Sequence, residues 1–135
     1  MSDYNAKIIE EFRANGGHVG GSWEGRNLLL ITTRGRKTGR EYTTPATYTR
    51  DGDRLLVYAS HGGSPDHPDW YLNLLANPDV IVEVGSERYE AVATPLEGAE
   101  RDREYAAQAK RWSQFTEYQE KTDRVIPVVG LTRLE

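Results

Sequence analysis

Four basic residues, Arg34, Arg36, Lys37 and Arg40, fall within seven positions of the stretch TTRGRKTGREYTTP, in a chain whose formal net charge is −4. Concentrated cations on an acidic body point to a localised anion site. A general nucleic-acid surface is disfavoured, because that footprint is a basic domain. Gly35 and Gly39 allow a tight turn with exposed backbone N–H groups, and Thr38, Thr43 and Thr44 add hydroxyl donors beside the charges. The residue order is not that of a P-loop. Two readings stay open at this level: a phosphate cradle, or a solvated hairpin tip.

Other chemistry is scarce. The chain has no cysteine, which removes thiolate nucleophiles, disulfides and sulfur-ligated metals together. His61 and His67 flank an acidic loop with Asp66 and Asp69, but their spacing matches neither a helical pair nor a zinc pattern, so no metal site is expected. Ser60-His61 is no nucleophile elbow, and no pair of carboxylates stands out. An enzyme with so little acid–base machinery takes its chemistry from a cofactor. The segment HGGSPDHPDWYLNLLANP reinforces the anion site, since it sets a Gly- and Pro-rich loop directly before a helix N-terminus. Trp70 and Tyr71 there can pack on a planar ring or belong to the core.

The elements that must position these residues follow from periodicity and turn chemistry. Residues 3–14 place Ile8, Ile9 and Phe12 at helical spacing, with Ser2 or Asp3 as the N-cap. Strands are expected over 27–33, 41–49 and 54–60, with Asp51-Gly52 as a hairpin turn and Pro45 requiring an edge or bulge. A helix over 69–76 follows, with Pro68 at its first position, and it ends at Asn77-Pro78. A hairpin over 80–94 comes next, then a helix over 98–111 with Tyr105, Ala109 and Trp112 on one face. A shorter helix bears Phe115 and Tyr118, and a last strand spans 125–132. The order predicts an α+β, mainly β fold: antiparallel strands closing toward a small barrel, with flanking helices.

With 135 residues, the chain reads as a single domain, residues 1–24 forming an N-terminal helix and loop. No apolar run is long enough to span a bilayer and no leader is visible, so no stable membrane insertion and a cytoplasmic location are expected.

In combination, GRKTGREYTTP, the strand ending YASHGG, the block HPDWYLNLLANPDV and the closing TDRVIPVV resemble the deazaflavin-dependent nitroreductase family. These are actinobacterial reductases that use coenzyme F420. The resemblance runs from about Gly25 to Val129, and PDWYLNLLANP is its most specific part. It implies a split β-barrel of the flavin-reductase-like kind. It also implies hydride transfer from reduced deazaflavin to electron-poor conjugated acceptors such as quinones, enones and nitroaromatics. FMN is the less favoured cofactor, because one terminal phosphate needs less charge than this loop supplies. A non-catalytic F420 carrier is the alternative from another class. Split barrels commonly dimerise, so a homodimer is expected.

Carried onto this chain, the family pattern places Arg36, Lys37 and Thr38 on the phosphate and acidic tail of the cofactor. Tyr42, Thr43, Thr44, Pro45, Ala46 and Thr47 line the groove. Tyr58, Ala59, Ser60 and His61 contact tail and ring, and Asp69, Trp70, Tyr71, Leu72 and Asn73 complete the contacts at the helix start. Phe115 and Tyr118 lie over the ring, with Trp112 at the substrate mouth; for Tyr118 three readings stay open, proton donor in competition with solvent, substrate contact, or packing residue. The chain departs from the pattern at Tyr42, where relatives have arginine, and at His61, where they have lysine or an amide. Trp112 and Phe115 stand where a nitroimidazole-activating relative has tyrosines, so that activity is not expected to carry over.

Overall fold

The computed structural model describes residues 3–21 and 27–134. The proposed Ser2 cap and the start of the family resemblance near Gly25 lie outside them. Helix α1 (Asp3–Ala14) leads to strands β1 (Leu28–Arg34), β2 (Glu41–Asp51) and β3 (Arg54–Tyr58). A 3-10 turn (His61–Gly63) and helix α2 (Asp69–Ala76) follow. Strands β4 (Asp79–Val84) and β5 (Glu87–Pro95), helices α3 (Gly98–Arg111) and α4 (Gln114–Glu120), and strand β6 (Val128–Arg133) complete the chain. Every strand pairs antiparallel with its neighbours in the order β1-β2-β3-β6-β5-β4, and β4 returns to β1 to close the barrel. The expected antiparallel barrel with flanking helices is what the chain forms.

The apolar run LLLI of β1 is buried on both faces, which is why it does not alternate. Leu29 and Ile31 point into the barrel with Leu55, Val57, Val82, Val129 and Leu131. Leu28 and Leu30 face outward and are covered by Ile8, Ile9 and Phe12 of α1. Strand β3 divides its residues in the same way. Leu55 and Val57 point inward, whereas Leu56 and Tyr58 pack outward under Tyr105 of α3 and Phe115 of α4. Helix α1 is further fastened by Arg13, whose Nε and Nη2 donate to the two carboxylate oxygens of Glu83 at 2.9 and 2.8 Å. Among the described residues no helix is long and apolar enough to cross a membrane.

The opening that positions the site comes from unequal pairing of β2. Its first half pairs with β1 from Glu41 to Thr47, whereas β3 joins its other side only from Tyr48 onward. Residues 41–47 are therefore a free edge within a closed barrel, and Pro45 sits there because a residue without an N–H costs nothing on an unpaired side.

Two expectations are corrected. Pro68 is the N-cap of α2 and not its first helical residue: its backbone is extended (φ −66°, ψ 151°), and its carbonyl accepts from the N–H of Tyr71 and Leu72. Trp112, the C-cap of α3, packs with Tyr105 and Ala109 on one cluster, as expected. The last strand begins at Val128 and not at 125, since Val125 is exposed and the segment before β6 is held by side chains instead of a ladder.

Candidate active site

Beside the free edge of β2 lie two adjoining hollows of ≈ 430 and ≈ 380 Å³ that share Asn5, Thr44, Asp69 and Trp70 in their walls. Together they form one groove, walled by β2 on one side and by the β3–α2 connection, the start of α2 and α4 on the other. The first hollow is the cationic one. Arg36, Lys37 and Thr38 line it with Tyr42, Thr43 and Asn73. The second is lined by Pro45, Ala46 and Thr47 of β2, by Tyr58, Ser60 and His61, and by Phe115 and Tyr118 of α4.

The basic loop is tightly wound. The N–H of Gly35 donates to the carbonyl of Arg40 at 2.7 Å, and that of Gly39 to the carbonyl of Gly35 at 2.8 Å. Gly39 has φ +73°, a left-handed conformation that glycine takes without penalty. These two N–H groups are thus occupied within the loop, contrary to the expectation that they face an anion. Arg36 is held in place as well. Its backbone N–H and Nη1 both donate to Oδ1 of Asn73, at 3.2 and 2.8 Å, and Nη2 lies 3.4 Å from Asp69. Asn73 is buried and passes its own amide to Thr33 Oγ1 at 3.4 Å. Arg36 and Asn73 therefore clamp the loop to α2. Lys37 is exposed and has no partner among the described residues.

At the other end the aromatics are held in fixed relation. Tyr58 meets Phe115 edge-on at 5.7 Å between ring centroids, and Phe115 meets Tyr118 at 5.4 Å, both favourable arrangements. The Tyr58 hydroxyl pairs with Thr49 Oγ1 at 2.7 Å, and burial pushes its pKa up. The Tyr105 hydroxyl donates to the carbonyl of Phe115 at 2.6 Å. Burial raises that phenol to about 12, so it stays protonated and pins α4. Trp70 packs in the barrel core and also lines both hollows.

Four of the candidate residues do not line the groove. Ala59 is fully buried. Tyr71 packs on the core and on the His67 ring at 4.8 Å, Leu72 is half-buried on α2, and Trp112 packs against the cluster beneath α3. Conversely, Asn5, Pro68 and Gln114 line it without having been foreseen. Asn5 left a readable signal: it heads the apolar stripe of α1, three and four residues before Ile8 and Ile9, where a polar side chain is out of pattern.

Residues 6–133 match the F420H(2)-dependent quinone reductase family. An F420H(2)-dependent quinone reductase of Mycobacterium tuberculosis is 42% identical over 131 residues, spanning 90% of this chain and 85% of the relative. Among solved structures, an F420-H2 dependent reductase superposes with a TM-score of 0.71 at 37% identity, over 78% of this chain and 94% of its own. Another, described as a domain-swapped dimer, gives 0.72 at 35% identity over 93% and 92%. A haem storage protein from Vibrio cholerae, at 19% identity and a TM-score of 0.63, shares the fold. The chain belongs to the F420H(2)-dependent quinone reductase family, oxidoreductases whose cofactor is coenzyme F420.

Proposed function

We propose that this chain reduces quinones with F420H2 bound along the β2 groove, the cofactor's acidic tail at the Lys37 end and its flat ring at the Phe115–Tyr118 end. Enones and nitroaromatics are further acceptors under the same chemistry. The observation that carries the reading is the polarity of the groove: an exposed, unpartnered Lys37 at one end and edge-packed aromatics at the other. The residues suit the cofactor, because a phosphodiester and a run of glutamates need cations and hydroxyls, whereas a planar ring needs apolar walls.

Reduced F420 supplies the hydride. The protein's part is to bind, orient and donate. Lys37 neutralises tail charge that the acidic body repels, with Thr38, Thr43 and Thr44 offering hydroxyls along the same wall. Arg36 contributes positive potential from its clamped position beside Asn73. Trp70 and Phe115 present apolar surface to a ring. The Tyr118 hydroxyl has no partner among the described residues and lines the hollow, so it is free to donate a proton as negative charge develops on the acceptor oxygen. A homodimer is part of the proposal, supported by the solved neighbour described as a domain-swapped dimer.

The test is a titration of the purified protein with F420 and separately with FMN, followed by oxidation of F420H2 in the presence of quinones, enones and nitroaromatics. Saturable F420 binding and quinone-dependent turnover are expected. Binding of FMN alone would overturn the cofactor assignment, and F420 binding without turnover on any acceptor would make the protein a carrier.

A further inference from the structure

The connection from β3 to α2, which supplies Ser60 and His61 to the groove wall, is folded around one guanidinium. Arg124, from the segment between α4 and β6, donates Nε to the carbonyl of Ser64 at 2.9 Å and Nη2 to that of Ser60 at 2.8 Å. Its Nη1 donates to the carbonyl of Ala59 at 3.2 Å and to Nδ1 of His67 at 3.0 Å. Four acceptors within nine residues thus converge on a side chain at least 57 positions away in sequence. Only a planar fork of donors can meet them together; an ammonium is a point charge with three donors.

The backbone around the cation is pressed against α4 as well. Gly63 has φ +82°, and a Cβ placed there would lie 2.9 Å from the Tyr118 carbonyl oxygen and 3.0 Å from the Lys121 side chain. His61, two residues earlier, takes φ +47° without being glycine, a conformation that persists only where the surroundings impose it. Arg124 is in turn fixed from behind. Its carbonyl accepts from Nε2 of Gln119 at 2.8 Å, and Arg101 of α3 grips Gln119 Oε1 and the Ile126 carbonyl.

We propose that Arg124 is the positioning residue of the groove: it holds Ser60 and His61 as one wall and sets that wall against Phe115 and Tyr118 of α4. This rests on the reading of the groove as the F420 site. Because His67 accepts through Nδ1, its protonation replaces an acceptor with a second donor and loosens the hold. The groups facing that imidazole are Arg124, Asp66 on its own loop and the Tyr71 ring of α2. Those facing the guanidinium include Tyr105 of α3 and Asp66.

The experiment compares wild type, Arg124→Met, Arg124→Lys and His67→Phe without cofactor by amide hydrogen exchange, then titrates each with F420. In Arg124→Met, the amides of Gly63 and Ser64 should lose about tenfold or more of their protection beyond any loss in the six strands. F420 should bind about tenfold more weakly, and Arg124→Lys should recover part of both losses. In wild type, loop protection should fall as pH drops below about 6.5, and His67→Phe should abolish that dependence. Loop protection and affinity at wild-type levels in Arg124→Met would overturn the proposal, as would an even loss of protection over all strands. Should Arg124→Met fail to fold, a wild-type loop in His67→Phe with its pH dependence intact overturns it equally. Failure of the wild type itself to bind F420 would sink the assignment of the groove, and the exchange measurements would still judge Arg124.

Discussion

Two sets of cations in this molecule do opposite things. The loop around Lys37 presents charge outward on a free sheet edge, and among the described residues only its Arg36 side chain is tied down, by Asn73 and Asp69. The segment before β6 turns its charge inward: Arg124 meets three carbonyls and an imidazole, and its neighbour Arg101 meets a carbonyl and an amide. A cation without protein partners is available to a ligand, whereas one whose N–H groups are already satisfied shapes the site without touching the chemistry. The difference lies in partners rather than residue type.

The sharpest way to break this contrast is to empty each region in turn. Arg124→Met should lower stability by about 3 kcal/mol, because it strips several charge-assisted bonds from part-buried carbonyls; chemical denaturation measures it, and a loss below about 1 kcal/mol would put Arg124 with the surface cations. Lys37→Ala should do the reverse, leaving stability within about 0.5 kcal/mol while weakening F420 binding by about 2 kcal/mol, near thirtyfold. An unchanged dissociation constant would make the loop a solvated tip. Asn73→Ala falls between the two. Releasing Arg36 from α2 should cost about 1.5 kcal/mol of stability and some affinity as well, seen in parallel melts and titrations.

Smaller effects refine the aromatic end. Tyr118→Phe should lower kcat for quinone reduction about tenfold and leave F420 affinity unchanged if the hydroxyl donates the proton, with solvent as the remaining source. Equal losses in both would return Tyr118 to a packing role. The least effect belongs to His67, whose pKa is held below the ordinary 6.5 first by burial and then by Arg124. The unfolded chain therefore takes up the proton more readily, so the stability from neutral His67 is complete above about 6.5 and is lost as pH falls through the lower folded value. Melts of wild type and His67→Phe between pH 5 and 8 (about the window set by the ordinary histidine pKa) should differ in slope in that direction.

Much of the architecture was readable before the fold was known, and particular residues show why. Helix α2 runs from Asp69 to Ala76 as expected, since Asn77-Pro78 stops it by local sterics. Helix α3 spans the anticipated Gly98–Arg111. The start of β6 was misread because Val125 has strand propensity, whereas its segment is held by Arg101, Gln119 and Arg124. Within the groove, the basic loop and the DWYLN block were legible as site segments. Ala59, Tyr71, Leu72 and Trp112 were carried along by their neighbours, although they do not line the groove.

By itself the sequence determined which segments become helix or strand, and that cations and aromatics gather in separate blocks, because periodicity, capping and turn chemistry act over a few residues. Only the tertiary structure decided which cation is free and which is occupied. Arg36 finds Asn73 at 37 positions' separation and Arg124 finds Ser60 at 64, and such pairings depend on how the barrel closes. It also decided that residues 41–47 are an open edge, since that follows from where β3 begins to pair and not from any property of β2.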